Sequence, residues 1–94
     1  VENITNEMEV LKNKAKVLKA LSHPIRLCIV KGLMEDEGCN VSKMQNCLEI
    51  PQSTLSQHLA KLRNLGILEG KRNGVEINYY VINEDAKKLI KALF

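Results

Sequence analysis

Asn73-Gly74 stands between Ile67 to Arg72 and Val75 to Ile82, the second a run of alternating apolar residues, in a chain whose other apolar residues recur with helical spacing. Asn-Gly is the strongest short-range signal for a hairpin, because both central positions of its usual tight turn take a positive φ. Val75, Ile77, Tyr79 and Val81 alternate with Glu76, Asn78 and Tyr80, which predicts a half-buried strand on the second arm. The chain is therefore expected to be mainly α with a small β-hairpin.

The helical segments can be placed from their stripes. Ile4, Met8, Leu11, Ala15 and Leu18 repeat at alternating spacings of four and three, while Val10, Val17 and Leu21 form a second stripe, so the first helix should pack on two things. Ser22-His23-Pro24 reads as a break and restart, with Ser22 or His23 near the N-cap and Pro24 at the first helical position. From Pro24 to about Glu35, Ile25, Cys28, Ile29 and Leu33 take one side and Leu27, Val30 and Met34 the other, which places this helix at the centre. A charged loop ending in Gly38 follows. Val41 to Glu49 is a short helix with Val41, Met44, Cys47 and Leu48 on one side, and Ile50-Pro51 breaks it.

From Pro51 or Gln52 to about Leu65, the stripe Leu55, Leu59 and Leu62 is narrow, and Gly66 fits the position just past the helix end. A last helix starts at Asn83 or Glu84 and carries Ala86, Leu89, Ile90, Leu93 and Phe94. The order is α-α-α-α-β-β-α in a single domain, residues 1–94.

Hydrophobic residues make up 45% of the chain, yet there is no Trp, one Phe and two Tyr, so the core must rest on Leu, Ile and Val. No apolar run approaches the roughly 20 residues that cross a bilayer. Val1-Glu2-Asn3 lacks the basic-then-apolar layout of a signal peptide, so a cytoplasmic protein with no membrane partner is expected. The net charge of +3 is unevenly placed. Residues 1–50 hold seven basic and seven acidic side chains and residues 75–94 hold three of each, whereas residues 51–74 hold Lys61, Arg63, Lys71 and Arg72 against Glu69 alone. Such concentration suits a polyanion.

A short helix, a tight break and a second helix with a narrow apolar stripe make a helix-turn-helix, and the basic hairpin directly after it makes the winged form. The Leu55/Leu59/Leu62 stripe would fasten the recognition helix and turn its polar face and its N-terminus outward, toward DNA phosphates. Gln52, Ser53, Thr54, Ser56 and Gln57 are short or planar side chains suited to the major groove, with Gln57 the preferred base reader. Lys61 and Arg63 can hold phosphates, and Lys71, Arg72 and Asn73 lie at the wing over flanking DNA. His58 sits toward the edge of the apolar stripe, where packing at the base of the motif competes with DNA contact.

Leu21-Ser22-His23-Pro24-Ile25-Arg26-Leu27, Gln52-Ser53-Thr54-Leu55-Ser56-Gln57-His58-Leu59, Leu65-Gly66-Ile67-Leu68 and Arg72-Asn73-Gly74 resemble the signatures of the ArsR/SmtB family of winged helix-turn-helix repressors. The resemblance covers nearly the whole chain. It implies repression by binding a double-stranded DNA operator, and a homodimer formed by the first and last helices through Ile4, Met8, Leu11, Leu18, Leu89, Ile90, Leu93 and Phe94. A two-fold dimer implies an imperfectly palindromic operator.

The family's metal sites are not expected here. Where arsenic- and cadmium-type sensors have Cys-Val-Cys, this chain reads Asn40-Val41-Ser42; the zinc-type site on the last helix needs two His, and that helix offers only Glu84 and Asp85. No metal or cofactor is implied, and the chain is more similar to the metal-free, PagR-like and HlyU-like members linked to thiol oxidation. Their cysteine pattern does not match Cys28, Cys39 and Cys47 position by position. Three readings stay open: Cys28 and Cys47 buried and Cys39 an exposed bystander, a redox switch of Cys39 with Cys47, or an unusual metal site. A winged-helix module that contacts protein, with a neutral recognition face, is the alternative to DNA binding. An enzyme is not expected, since there is no glycine-rich phosphate loop and no metal-ligand spacing.

Overall fold

The computed structural model describes residues 4–94, with side chains from Asn6 onward. In chain order it comprises α1 (Ile4–Leu21), α2 (Pro24–Glu35), β1 (Cys39–Asn40), α3 (Val41–Leu48), α4 (Gln52–Asn64), β2 (Leu68–Asn73), β3 (Glu76–Val81) and α5 (Glu84–Leu93). The Val1-Glu2-Asn3 segment and the side chain of Ile4, assigned above to the dimer seam, lie outside the described residues.

Local chemistry accounts for the helix ends. The Nδ1 of His23 accepts the backbone N–H of Ile25 at 3.1 Å, and Pro24 fills the first helical position. Asn40 and Asn83 cap α3 and α5, their Oδ1 atoms accepting N–H groups of Lys43 and Ala86, each at 2.9 Å. At the end of α4, Gly66 has φ 75, its N–H reaches the carbonyl of Arg63, and the N–H of Ile67 reaches that of Leu62. This paired closure needs a left-handed residue, which is why glycine stands there. Glu49 closes α3 at φ 55 without that help, in the turn ahead of α4.

A central α2 packs against α1, α4, α5 and β3. Val30 and Leu33 of α2, Leu55, Leu59 and Leu62 of α4, and Ile67 and Leu68 after it are at most 2% exposed and form the heart of the core. Each such Leu, fully removed from water, contributes about 1.5–3 kcal/mol. On α1 the two predicted stripes part company. The first stays outside, with Met8, Leu11 and Leu18 exposed, while of the second Val17 and Leu21 are buried in the core and Val10, nearer the start of the helix, is exposed.

The sheet departs from the hairpin expected. Three antiparallel strands run in the order β1-β3-β2, with Cys39 opposite Tyr79 and Asn40 opposite Asn78. The hairpin register pairs Asn73 with Glu76, so its central residues are Gly74 and Val75 rather than Asn73 and Gly74. Of the two, only Gly74 has a positive φ, 68°, which is the hairpin turn with glycine first. Val75 thereby leaves the strand and stands at the apex, 98% exposed, instead of facing inward. Ile77, Tyr79 and Val81 do turn toward the core, Tyr79 and Val81 fully buried.

Candidate nucleic-acid interface

Burying Leu55, Leu59 and Leu62 decides what α4 presents. Residues spaced three and four apart share a face, so the opposite side carries Ser53, Gln57 and Asn64, all exposed. Gln52, Ser56, Lys61 and Arg63 are exposed as well, and Thr54 is half-buried at the edge. The N-cap position is Pro51, which makes no side-chain cap, so the first-turn N–H groups of α4 have no capping acceptor. Those donors and the positive end of the helix dipole suit a phosphate.

His58 is placed differently from its neighbours. Half-buried, it packs its ring against His23 with centroids 4.6 Å apart. Burial pushes its pKa below the ordinary value of 6.5, and the nearby His23 and Arg26 push it in the same direction. Its surroundings are those of a packing residue beneath the motif, not of a group offered to a ligand.

In the hairpin, Lys71 and Arg72 are both exposed but occupy opposite faces of the ladder, paired with Asn78 and Ile77. The Lys71 ammonium lies 5.1 Å from the centre of the Tyr80 ring, a cation–π contact that holds it against the sheet. Arg72 and Asn73 lead into the turn, beside the exposed Val75. The ion pairs found among the described residues use Lys14, Lys31, Lys43 and Lys87, each with a carboxylate. Lys61, Arg63, Lys71 and Arg72 take part in none of these pairs.

Folding adds cations that sequence reasoning missed. Lys16 and Lys19 of α1 border the same shallow depression as Arg26 of α2, Lys61 of α4 and Leu65 just past its end. The Nε of Arg26 donates to the carbonyl of Ala20 at 2.7 Å, which fixes the guanidinium there. Counting charge along the chain balanced Lys16 and Lys19 against acids that lie elsewhere in space. Their shared spacing of three along α1 with an exposed face was the available signal.

The cysteines depart from the buried pattern. Cys28 and Cys47 are exposed and Cys39 is half-buried. Cys28 lies on the outer side of α2, beyond the buried Ile29, Val30 and Leu33, and Cys47 follows Met44, the buried residue of α3, by three positions. All three cysteines border one groove of about 240 Å³ between α2 and α3, with Leu33, Met44 and Leu48 among its walls. Burial pushes the Cys39 thiol up, with the Asp36 carboxylate adding to the effect. Among the described residues no three His, Cys, Asp or Glu side chains are close enough to hold a metal ion.

The outer faces of α1 and α5 carry Met8, Leu11, Leu18 and Leu93, each 47–63% exposed, with Leu89 half-buried, while Phe94, just past α5, is 64% exposed with the Lys31 ammonium 5.1 Å from its ring centre. Ile90 is the exception among the residues assigned to a dimer seam. It is 4% exposed inside the chain's own core, so it has almost no surface left for a partner. Lys14 and Asp85 tie α1 to α5 by an ion pair of 2.7 Å. No helix among the described residues is long and apolar enough to cross a membrane.

Residues 21–71 match a family model described as a helix-turn-helix domain. The chain is 41% identical to the transcriptional repressor PagR of Bacillus anthracis over 88% of this chain and 83% of that protein. It is 42% identical to a biofilm growth-associated repressor of Xylella fastidiosa over 100% of this chain and 83% of the other. Among solved structures, the PagR repressor superposes with a TM-score of 0.85 at 39% identity, covering 93% of this chain and 99% of that one. HlyU from Vibrio cholerae superposes with a TM-score of 0.83 at 32% identity, covering 87% and 88%.

Proposed function

The chain belongs to the ArsR/SmtB family of winged helix-turn-helix repressors, and we propose that it acts as a homodimer on a palindromic operator in double-stranded DNA. The observation that carries this reading is the build of α4. One stripe is wholly buried, the opposite face offers Ser53 and Gln57, and the flanking cations Lys61, Arg63 and Arg72 are exposed and outside the ion pairs found. In this reading Gln52, Ser53, Thr54, Ser56 and Gln57 meet base edges and first phosphates, while Lys61, Arg63, Lys71, Arg72 and Asn73 hold the backbone. Operator binding would put the protein with the chromosome, in the cytoplasm. The exposed large apolar side chains on α1 and α5, two helices that pack together, support pairing with a second copy.

The test is fluorescence anisotropy with a duplex from the protein's own promoter, against an unrelated duplex, together with sedimentation. A dimer that prefers the promoter by about a thousandfold or more is expected of a specific regulator. Equal, weak binding to both duplexes would instead favour the protein-interaction module.

Release by thiol oxidation is a second reading, favoured by the gathering of Cys28, Cys39 and Cys47 around one groove beside the first helix of the motif. Cys47 is exposed where Cys39 is half-buried, so of that pair Cys47 is the more accessible to an oxidant. Loss of promoter binding under mild oxidant, abolished by Cys47→Ser, would support this reading. Binding indifferent to oxidant would end it and leave the repressor intact.

A further inference from the structure

Asn40 uses both ends of its amide. Its Oδ1 accepts the N–H of Lys43 at 2.9 Å and caps α3, while its Nδ2 donates to Oε2 of Glu76 at 3.1 Å. The two roles fix the amide orientation, since a flipped side chain would set a donor against the Lys43 N–H. Glu76 is the first residue of β3, directly across the turn from Asn73, one ladder position from the Arg72–Ile77 pair. One side chain therefore joins the first helix of the helix-turn-helix to the base of the wing tip.

The backbone reinforces that link, because Asn40 also lies opposite Asn78 in the β1–β3 pairing. Just before it, Lys43 of α3 is paired with Asp36, pinning the loop that leads into β1. Asn40 and Glu76 face a cleft that Gln52, at the start of α4, and Val75, at the wing tip, also line. The two parts of the chain expected to touch DNA thus meet across this hydrogen bond. Beyond Leu68 and Gly70 the first wing strand is exposed, so little apolar packing remains to hold the tip at a fixed angle.

We propose that Asn40 is a positioning residue for DNA binding, which sets the wing against the helix-turn-helix through its bond to Glu76 so that Arg72 meets the backbone while Gln57 is in the groove. The inference rests on the DNA-binding reading above. It does not require Asn40 to touch DNA. The bond also holds the Glu76 carboxylate by a donor on the protein, limiting its freedom to swing toward phosphates.

Asn40→Ser tests it, because Ser caps helices as well as Asn does but is too short to reach Glu76, and the charge is unchanged. The expected result is a melting temperature within about 2 °C of the parent, with promoter affinity about five- to tenfold weaker and a salt slope smaller by about one. Asn40→Ser and Arg72→Ala should be non-additive, the double variant binding no more weakly than Arg72→Ala alone. A role confined to capping predicts the opposite, parent-like binding for Asn40→Ser. Full additivity with Arg72→Ala would also overturn the proposal. Hydrogen exchange of the free protein gives a readout without DNA: faster exchange at Ile77 to Tyr79 with α3 unchanged is expected, and unchanged wing exchange would refute the link even if the parent bound no DNA.

Discussion

The imidazole rings of His23 and His58 lie 4.6 Å apart and tilted by 54°, so the residue that caps α2 is in contact with the middle of α4. His23 can accept the Ile25 N–H only while its Nδ1 is unprotonated. Arg26 adds a third basic group to the same corner.

Stability should therefore fall with acid. The pKa of His58 is lowered in the folded chain by burial, then by His23 and Arg26, so the unfolded chain takes up its proton first. The stabilisation is complete above the unfolded value of about 6.5 and is lost as pH falls through it toward the lower folded value. Thermal melts between pH 8 and pH 5.5 should show a drop that His58→Gln makes shallower. An identical slope in the two proteins would contradict the assignment.

Gln57→Ala and Leu59→Ala, on opposite sides of one helix, should fail in different ways. Gln57 is exposed, and its loss should change stability by less than about 0.5 kcal/mol while weakening promoter binding by about 1–3 kcal/mol and binding to unrelated DNA far less. Leu59 is 2% exposed, and its truncation should destabilise the fold by about 2–5 kcal/mol. Denaturant melts and competitive anisotropy on the two variants separate these effects.

Lys16 and Lys19 border one depression with Lys61. If DNA runs past this side of α4, changing both to Gln should lower the salt slope of binding by as much as about two and weaken promoter and unrelated duplexes alike. A slope equal to that of the parent would confine the DNA footprint to α4 and the wing.

Leu11→Glu places a charge on the outer face of α1, where Leu11 is 53% exposed and outside the core. Helix content should persist, while sedimentation should report a shift from dimer toward monomer and promoter binding should weaken with it. A variant that remains dimeric would move the dimer contact away from this face.

Most of the architecture could be read from periodicity, because burial and spacing coincide. Leu55, Leu59 and Leu62 are the clearest case, and all three are buried as their stripe requires. Features set by non-local pairing were not legible. The strand Cys39–Asn40 is too short for any period and exists because β3 offers it a free edge. The wing register slipped by one because glycine alone can satisfy the turn from its first central position, which leaves Asn73 in the ladder and Val75 at the apex. Cys28 and Cys47 read as core because a cysteine counts as apolar, although α2 and α3 bury their other sides. For the interface, the polar face of α4 was visible in one dimension, while the Lys16, Lys19 and Lys61 grouping and the Asn40–Glu76 bond join residues far apart in sequence.

Mechanically, the wing is a beam clamped at its root and braced along one side by β1 and the Asn40–Glu76 bond. Leu68 is 1% exposed and Val81 opposite it 6%, so the root is held in the core, whereas Lys71, Arg72 and Asn73 stand in water. Six strand residues at about 3.3 Å each make a lever of about 20 Å, and tilting its root by about 5° carries the tip about 1.7 Å. That displacement is enough to make or break a hydrogen bond to a phosphate. Slight repacking around Leu68 and Val81 would thus reach the DNA magnified, with no residue at the tip having changed.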